Sequence, residues 1–158
     1  MKNWLSDLGA KYDVIDAVMV AGFSDLLLTK KRAELLMSEM EHNKEQFKLN
    51  VEAFNRVCNL AAKAEHKAVY ESLFAHESEK ALYQAWQSIH ENFETSIAAR
   101  SLNEAYSLLA TLQAPIVSYF DSVMVMDKDE NVKANRLATL ACIADDIALI
   151  ADLSKLVW

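Results

Sequence analysis

A chain of 158 residues that is 53% hydrophobic, with 16 Lys+Arg against 23 Asp+Glu and a formal charge of -7, has the balance of a single soluble globular domain, residues 1–158. At this length a radius of gyration of roughly 15 Å and burial of about 70% of the extended chain's surface suffice for a core without disulfides or a structural metal. The acidic balance excludes attachment to nucleic acid through bulk positive charge, and no window approaches the ~18 apolar residues of a membrane span.

Two glycines, Gly9 and Gly22, and one proline, Pro115, leave almost no punctuation for hairpins or glycine-rich loops. The expected fold is therefore all-α, a bundle of about six to seven helices. Gly9 ends a short amphipathic opening. Val14, Ile15, Val18 and Met19 then place one apolar stripe on a helix that Gly22 stops, and Ser24 caps the next, which runs through Leu36 and Met40. A long helix is predicted over 42–65, with Phe47, Val51, Phe54, Cys58 and Ala61 on its buried side. At 100° per residue, Arg56, Lys63 and Lys67 share a sector of about 40° on the opposite side, with Asn59 beside it. A basic strip of this kind fits either a solvated face or a local nucleic-acid contact.

The spacing next predicts a helix from Ser78 that fades near Arg100. Another runs over 102–126, bent or broken by Pro115, which lacks an N–H and crowds the carbonyl four residues back. The last runs from about Asp129 to Asp152 and buries Leu137, Leu140, Ala141, Ala144, Ile147, Ala148 and Ala151. Met37, Met40, Met124 and Met126 read as core filler.

Little here promises autonomous chemistry. His42, His66, His76 and His90 lack the i, i+3 or i, i+4 pairing of a helical zinc site. Asp127, Asp129 and Asn131 resemble the start of a calcium loop, but Val132 and Ala138 stand where glycine and glutamate are required, so helix capping is the better reading. Cys58 and Cys142 have no metal-ligand or redox spacing and read as small buried side chains in a reducing compartment. The chain has no nucleophile elbow, phosphate loop or dinucleotide fingerprint. The first residues lack the order of a secretory signal, and a cytoplasmic location is expected.

Tyr119-Phe120-Asp121-Ser122-Val123-Met124-Val125-Met126, then Asn135-Arg136-Leu137 and Ile150-Ala151-Asp152-Leu153-Ser154, form a run of distinctive words. Asn55-Arg56-Val57-Cys58-Asn59-Leu60 and Tyr12-Asp13-Val14-Ile15-Asp16-Ala17-Val18 precede them in order. In these words the chain resembles the carboxyl end of the bacterial glycyl-tRNA synthetase β subunit, over most of its length and most closely from about Ala105 onward. Val117, where that family usually has an acidic residue, is a departure. The resemblance implies a DALR-type anticodon-binding helical domain, detached from a longer β subunit. It implies as partners the anticodon stem-loop of tRNA-Gly, the remainder of β and an α subunit in an α2β2 assembly, with no membrane. It assigns ATP and glycine to the α subunit, leaving this domain without cofactor or catalytic residue of its own.

On that reading the tRNA-binding residues are Arg56, Asn59 and Lys63 along one helix face, with Lys128, Lys133 and Arg136 as phosphate contacts from the last hairpin. Arg136 has a second reading, an internal ion pair to Asp121. The alternative function is a protein-docking module within a synthetase assembly, using an apolar patch near Trp86 or Trp158.

Overall fold

The computed structural model describes residues 6, 9–20 and 26–156. The expected stop at Gly22, the expected cap at Ser24 and the end residue Trp158 lie outside them. The described residues form seven α-helices and no strand: α1 (Tyr12–Val20), α2 (Leu26–His42), α3 (Lys44–Ala61), α4 (Glu77–Ala98), α5 (Leu102–Ala110), α6 (Gln113–Ser122) and α7 (Glu130–Ile150), with 3-10 turns at Glu71–Leu73 and Leu153–Lys155.

The central element is α7. From Asn135 to Ala141 every residue is buried, so this stretch has no solvent face at all, and α3, α4 and α5 pack around it. Such a stretch is buried all round rather than along one stripe, its polar residues Asn135, Arg136 and Thr139 included. The expected buried face holds at Leu137, Leu140, Ala141, Ile147 and Ala151, whereas Ala144 is half-buried and Ala148 is exposed. Phe47 and Phe54 of α3, Leu82 and Phe93 of α4, Leu109 of α5 and Ile116 and Tyr119 of α6 complete the core, each essentially without solvent contact.

Helix ends follow local chemistry in three places. Pro115 stands in the first turn of α6, where no N–H is needed, and the break falls at Thr111 and Leu112, because the ring excludes a helical carbonyl four residues back. The α4 terminus closes as a Schellman motif: Ser101 N–H donates to Ser96 O at 2.8 Å and Arg100 N–H to Ile97 O at 3.0 Å, with Arg100 in the left-handed region at φ 59. Asp129 caps α7, its carboxylate accepting from Asn131 N–H at 2.9 Å and Val132 N–H at 3.3 Å, which is the capping role expected for this acidic run.

One boundary differs from expectation for a tertiary reason. The helix predicted to reach residue 65 ends at Ala61, although Ala62, Lys63 and Ala64 are good helix formers. The chain instead turns, and α7 holds the segment beyond the turn. The Asn135 amide donates to Tyr70 O at 3.0 Å and accepts from Tyr70 N–H at 2.6 Å, while Lys67 meets Asp145 at 2.7 Å. The two Asn135 bonds satisfy backbone groups that a continued helix would have paired with itself.

Buried polar groups tie the layers together. Asn50 of α3 donates to the Tyr106 hydroxyl of α5 at 2.8 Å, and buried Arg32 of α2 donates to Leu149 O at 2.9 Å, near the negative end of α7. Tyr119 is the exception: its buried hydroxyl has no hydrogen-bond partner among the described residues. Since an unsatisfied buried hydroxyl costs about 1–3 kcal/mol, Tyr119→Phe is expected to raise stability by about 1 kcal/mol, read as a higher urea midpoint at unchanged m. A lower midpoint would mean that the hydroxyl has a partner.

Candidate nucleic-acid interface

The outward side of α3 carries Arg56 and Asn59, both exposed, and α6 packs alongside. The Arg56 guanidinium carbon lies 4.1 Å from the centre of the Phe120 ring, a cation–π contact that fixes a long side chain which solvent would otherwise leave free. Beside it opens a groove of about 500 Å³ lined by Arg56, Leu60 and the run from Phe120 to Met126. Asn59 faces a different groove of about 490 Å³, walled by alanines of α3 and α7 with Cys58, Lys67 and Asp145. Lys63 is exposed just past the end of α3, and Lys128 is exposed on the loop between α6 and α7.

The expected basic strip is thus broken up. Lys63 and Lys67 lie beyond the end of α3 and share no helix face with Arg56, and Lys67 is engaged by Asp145. Lys133 is half-buried and pairs with Glu130 at 3.3 Å, one turn away on α7. Arg56, Lys63 and Lys128 form no ion pair among the described residues.

Arg136 overturns the phosphate-contact reading and bears out the internal ion pair, though with other partners. It is 4% exposed, so it offers no surface to a phosphate, and its ion-pair partners are Glu79 and Asp127 rather than Asp121. Its Nε donates to Glu79 at 2.8 Å, and one Nη donates to Met124 O at 2.6 Å and to Asp127 at 3.3 Å. The second Glu79 oxygen accepts from Ala75 N–H at 2.7 Å and His76 N–H at 2.9 Å. One buried guanidinium therefore ties the start of α4 to the loop that lines the groove. It is a positioning residue.

Two methionines also depart from expectation. Met37 and Met40 pack against the core, but Met124 is 74% exposed and Met126 44% exposed. Helical spacing no longer governs them because α6 ends at Ser122 and Val123 is extended. Phe120 and Asp121 carry no functional role in the sequence reading, yet both line the groove. Only their approach to Arg56 across two helices, which no spacing rule encodes, picks them out.

Other titratable groups are structural. Burial, aided by Asp152, pushes the Cys58 thiol up to about 11, and burial also raises Cys142, so neither half-buried thiol is a ready nucleophile. Among the described residues no group of three His, Cys, Asp or Glu side chains could hold a metal, and no described helix is long and apolar enough to cross a membrane.

Trp86, considered above as an apolar contact point, is half-buried and engaged. Its indole donates to Asp146 at 2.9 Å, and the His90 ring, 4.5 Å away, places Nδ1 2.8 Å from the same carboxylate. Burial holds the Asp146 carboxyl above the usual range, against the lowering effect of the His90 and Trp86 hydrogen bonds. A raised folded value means that the native state binds this proton more tightly than the unfolded chain. The contribution is complete below the ordinary carboxylate value of about 4 and is lost as pH rises through the folded value. The stability of the wild type relative to Asp146→Asn should accordingly fall across that window in urea titrations. A difference that does not change with pH would show that burial leaves this proton's affinity unaltered.

Residues 51–153, from α3 to the turn after α7, match the family model described as the DALR anticodon binding domain. Over 159 aligned residues and the whole chain, the sequence is 36% identical to the glycine–tRNA ligase beta subunit of Halalkalibacterium halodurans. It is 37% identical over 158 residues to that of Clostridioides difficile, again over the whole chain. The chain spans 23% of the length of both relatives. With the helical architecture described above and a family match over most of its length, the chain belongs to the DALR anticodon-binding domain family.

Proposed function

We propose that this chain is the tRNA-binding domain of a cytoplasmic glycine–tRNA ligase β subunit. In this reading Arg56, Asn59 and Lys63 meet the anticodon loop of tRNA-Gly, with Lys128 and Lys133 on flanking phosphates. The rest of β and the α subunit of an α2β2 enzyme complete the assembly, and glycine and ATP are handled outside this domain. The observation that carries the reading is the family match over residues 51–153, which takes in α3 from Val51 onward and the α6–α7 loop. The free cations Arg56, Lys63 and Lys128 support it, since a chain of charge -7 needs a local positive surface to approach RNA.

The test is anisotropy of labelled tRNA-Gly titrated with the chain at low and moderate salt. Arg56→Glu with Lys63→Glu should weaken binding at least about tenfold and reduce the salt slope by at least about 1, while the melting temperature changes little because both side chains are exposed. Unchanged affinity would remove this face from the interface. Replacing the two anticodon cytosines separates base reading, which is lost, from backbone attraction, which is not.

A further inference from the structure

The groove beside Arg56 has features that a phosphate-binding surface does not need. Its floor is apolar, with Phe120 and Leu60 half-buried, and its lip carries Met124 and Met126, which are among the most exposed large apolar side chains described. Together they make a contiguous apolar surface along one groove, the kind of patch that marks a binding site rather than a scattered exposed side chain. At the same groove stand a donor fork, Arg56, and an acceptor, Asp121, with no ion pair between them among the described residues. A bulky aliphatic occupant would leave both of these groups desolvated without a partner. A flat aromatic heterocycle with donors and acceptors on one edge satisfies the floor and the fork together.

Resting on the tRNA-binding reading above, we infer that this groove takes one unstacked nucleobase of the bound loop. The base packs against the methionines and the apolar floor, with its edge turned toward the Phe120-supported guanidinium, as unstacked single-stranded RNA bases are held on apolar and aromatic surfaces. Asp121 accepts from an exocyclic amino group, and Arg56 donates to the ring acceptor next to it. That pairing suits cytosine or adenine and rejects uracil, which presents a carbonyl where the carboxylate needs a donor. The exposed cations Lys63, three residues beyond Leu60, and Lys128, two beyond Met126, are available to phosphates of the same strand. Arg136, bonded to Met124 O, holds the loop in place without touching the base.

The experiment titrates the full chain with anticodon-arm hairpins, intact or made abasic at one loop position at a time, and compares Met124→Ala, Asp121→Asn and Phe120→Leu. The first two changes lie on the exposed surface, and the third keeps apolar volume while removing the ring. One loop position should stand out, with loss of its base weakening binding roughly 5- to 100-fold. At that position uracil should bind at least about tenfold more weakly than cytosine. Met124→Ala and Phe120→Leu should weaken the intact hairpin but leave the hairpin abasic at that position unaffected. Asp121→Asn should erase the preference over uracil. Equal losses for intact and abasic hairpins, or no sensitive position at all, would overturn the base pocket while leaving tRNA binding in place. No binding of any hairpin or of tRNA-Gly would overturn both.

Discussion

Arg136→Met is expected to lower stability by about 3–5 kcal/mol, the range for removing one partner of a buried ion pair. For a domain of this size that corresponds to a melting temperature lower by about 6–20 °C. Arg136 and Glu79 have side chains only 4% and 1% exposed, so neither can recover its lost interactions from water. Methionine fills the space but leaves one Glu79 oxygen and Met124 O without their donor. Glu79→Gln in the same background should restore part of the loss, because the amide retains an acceptor for Ala75 and His76 N–H and carries no charge to bury. The coupling between the two changes should be about 1–3 kcal/mol. A single variant melting within about 2 °C of the wild type would mean that the pair adds no net stability. The same variant separates positioning from contact in RNA binding. A phosphate ligand removed lowers the salt slope by about 1, whereas a loop anchor removed lowers affinity at constant slope, which is the result expected here.

Asn135→Ala should cost about 1–3 kcal/mol, since Tyr70 N–H loses its acceptor while Tyr70 O, which also accepts from Leu73 N–H at 3.0 Å, loses one of two donors. The effect should also be local. With its clamp gone, the segment from Ala62 to Ala75 is tied to α7 by the surface Lys67–Asp145 pair and a weak contact from the Cys142 thiol to Lys67 O. Exposed ion pairs add little. The Tyr70 amide should exchange with solvent much faster than core amides of α7, and trypsin should cut first after Lys63 or Lys67. Global loss of protection without preferential opening at Tyr70 would show that Asn135 supports the core of α7 rather than this segment.

Arg136 and Asn135, in the partners they take, also mark the limit of sequence reading. Both stand beside Leu137 in a helical pattern, and a polar residue there is ordinarily placed toward solvent. What hides them is that α7 is surrounded on all sides, so its polar positions face other elements instead of water. Arg56 was legible because α3 has one apolar stripe and its far side must be exposed. Its partner Phe120 was not, since a cation–π contact between residues so far apart in the chain leaves no local trace. Lys63 and Lys67 fell on one imagined face because the alanines after Leu60 favour helix, and tertiary bonds to Tyr70 and Lys67 overrode that preference.

By itself the sequence determined the all-α class, the break before Pro115, the cap at Asp129 and the family, because these depend on intrinsic backbone preferences and on words of adjacent residues. Only the tertiary structure decided which cations stay free, since pairing depends on carboxylates brought from other helices. Arg136 was drawn inward by Glu79, Lys67 was neutralised by Asp145, and Arg56 was left over a ring at the mouth of a groove. Charge counts add along a chain, but electrostatic availability is set by distance and burial, which only the folded arrangement fixes.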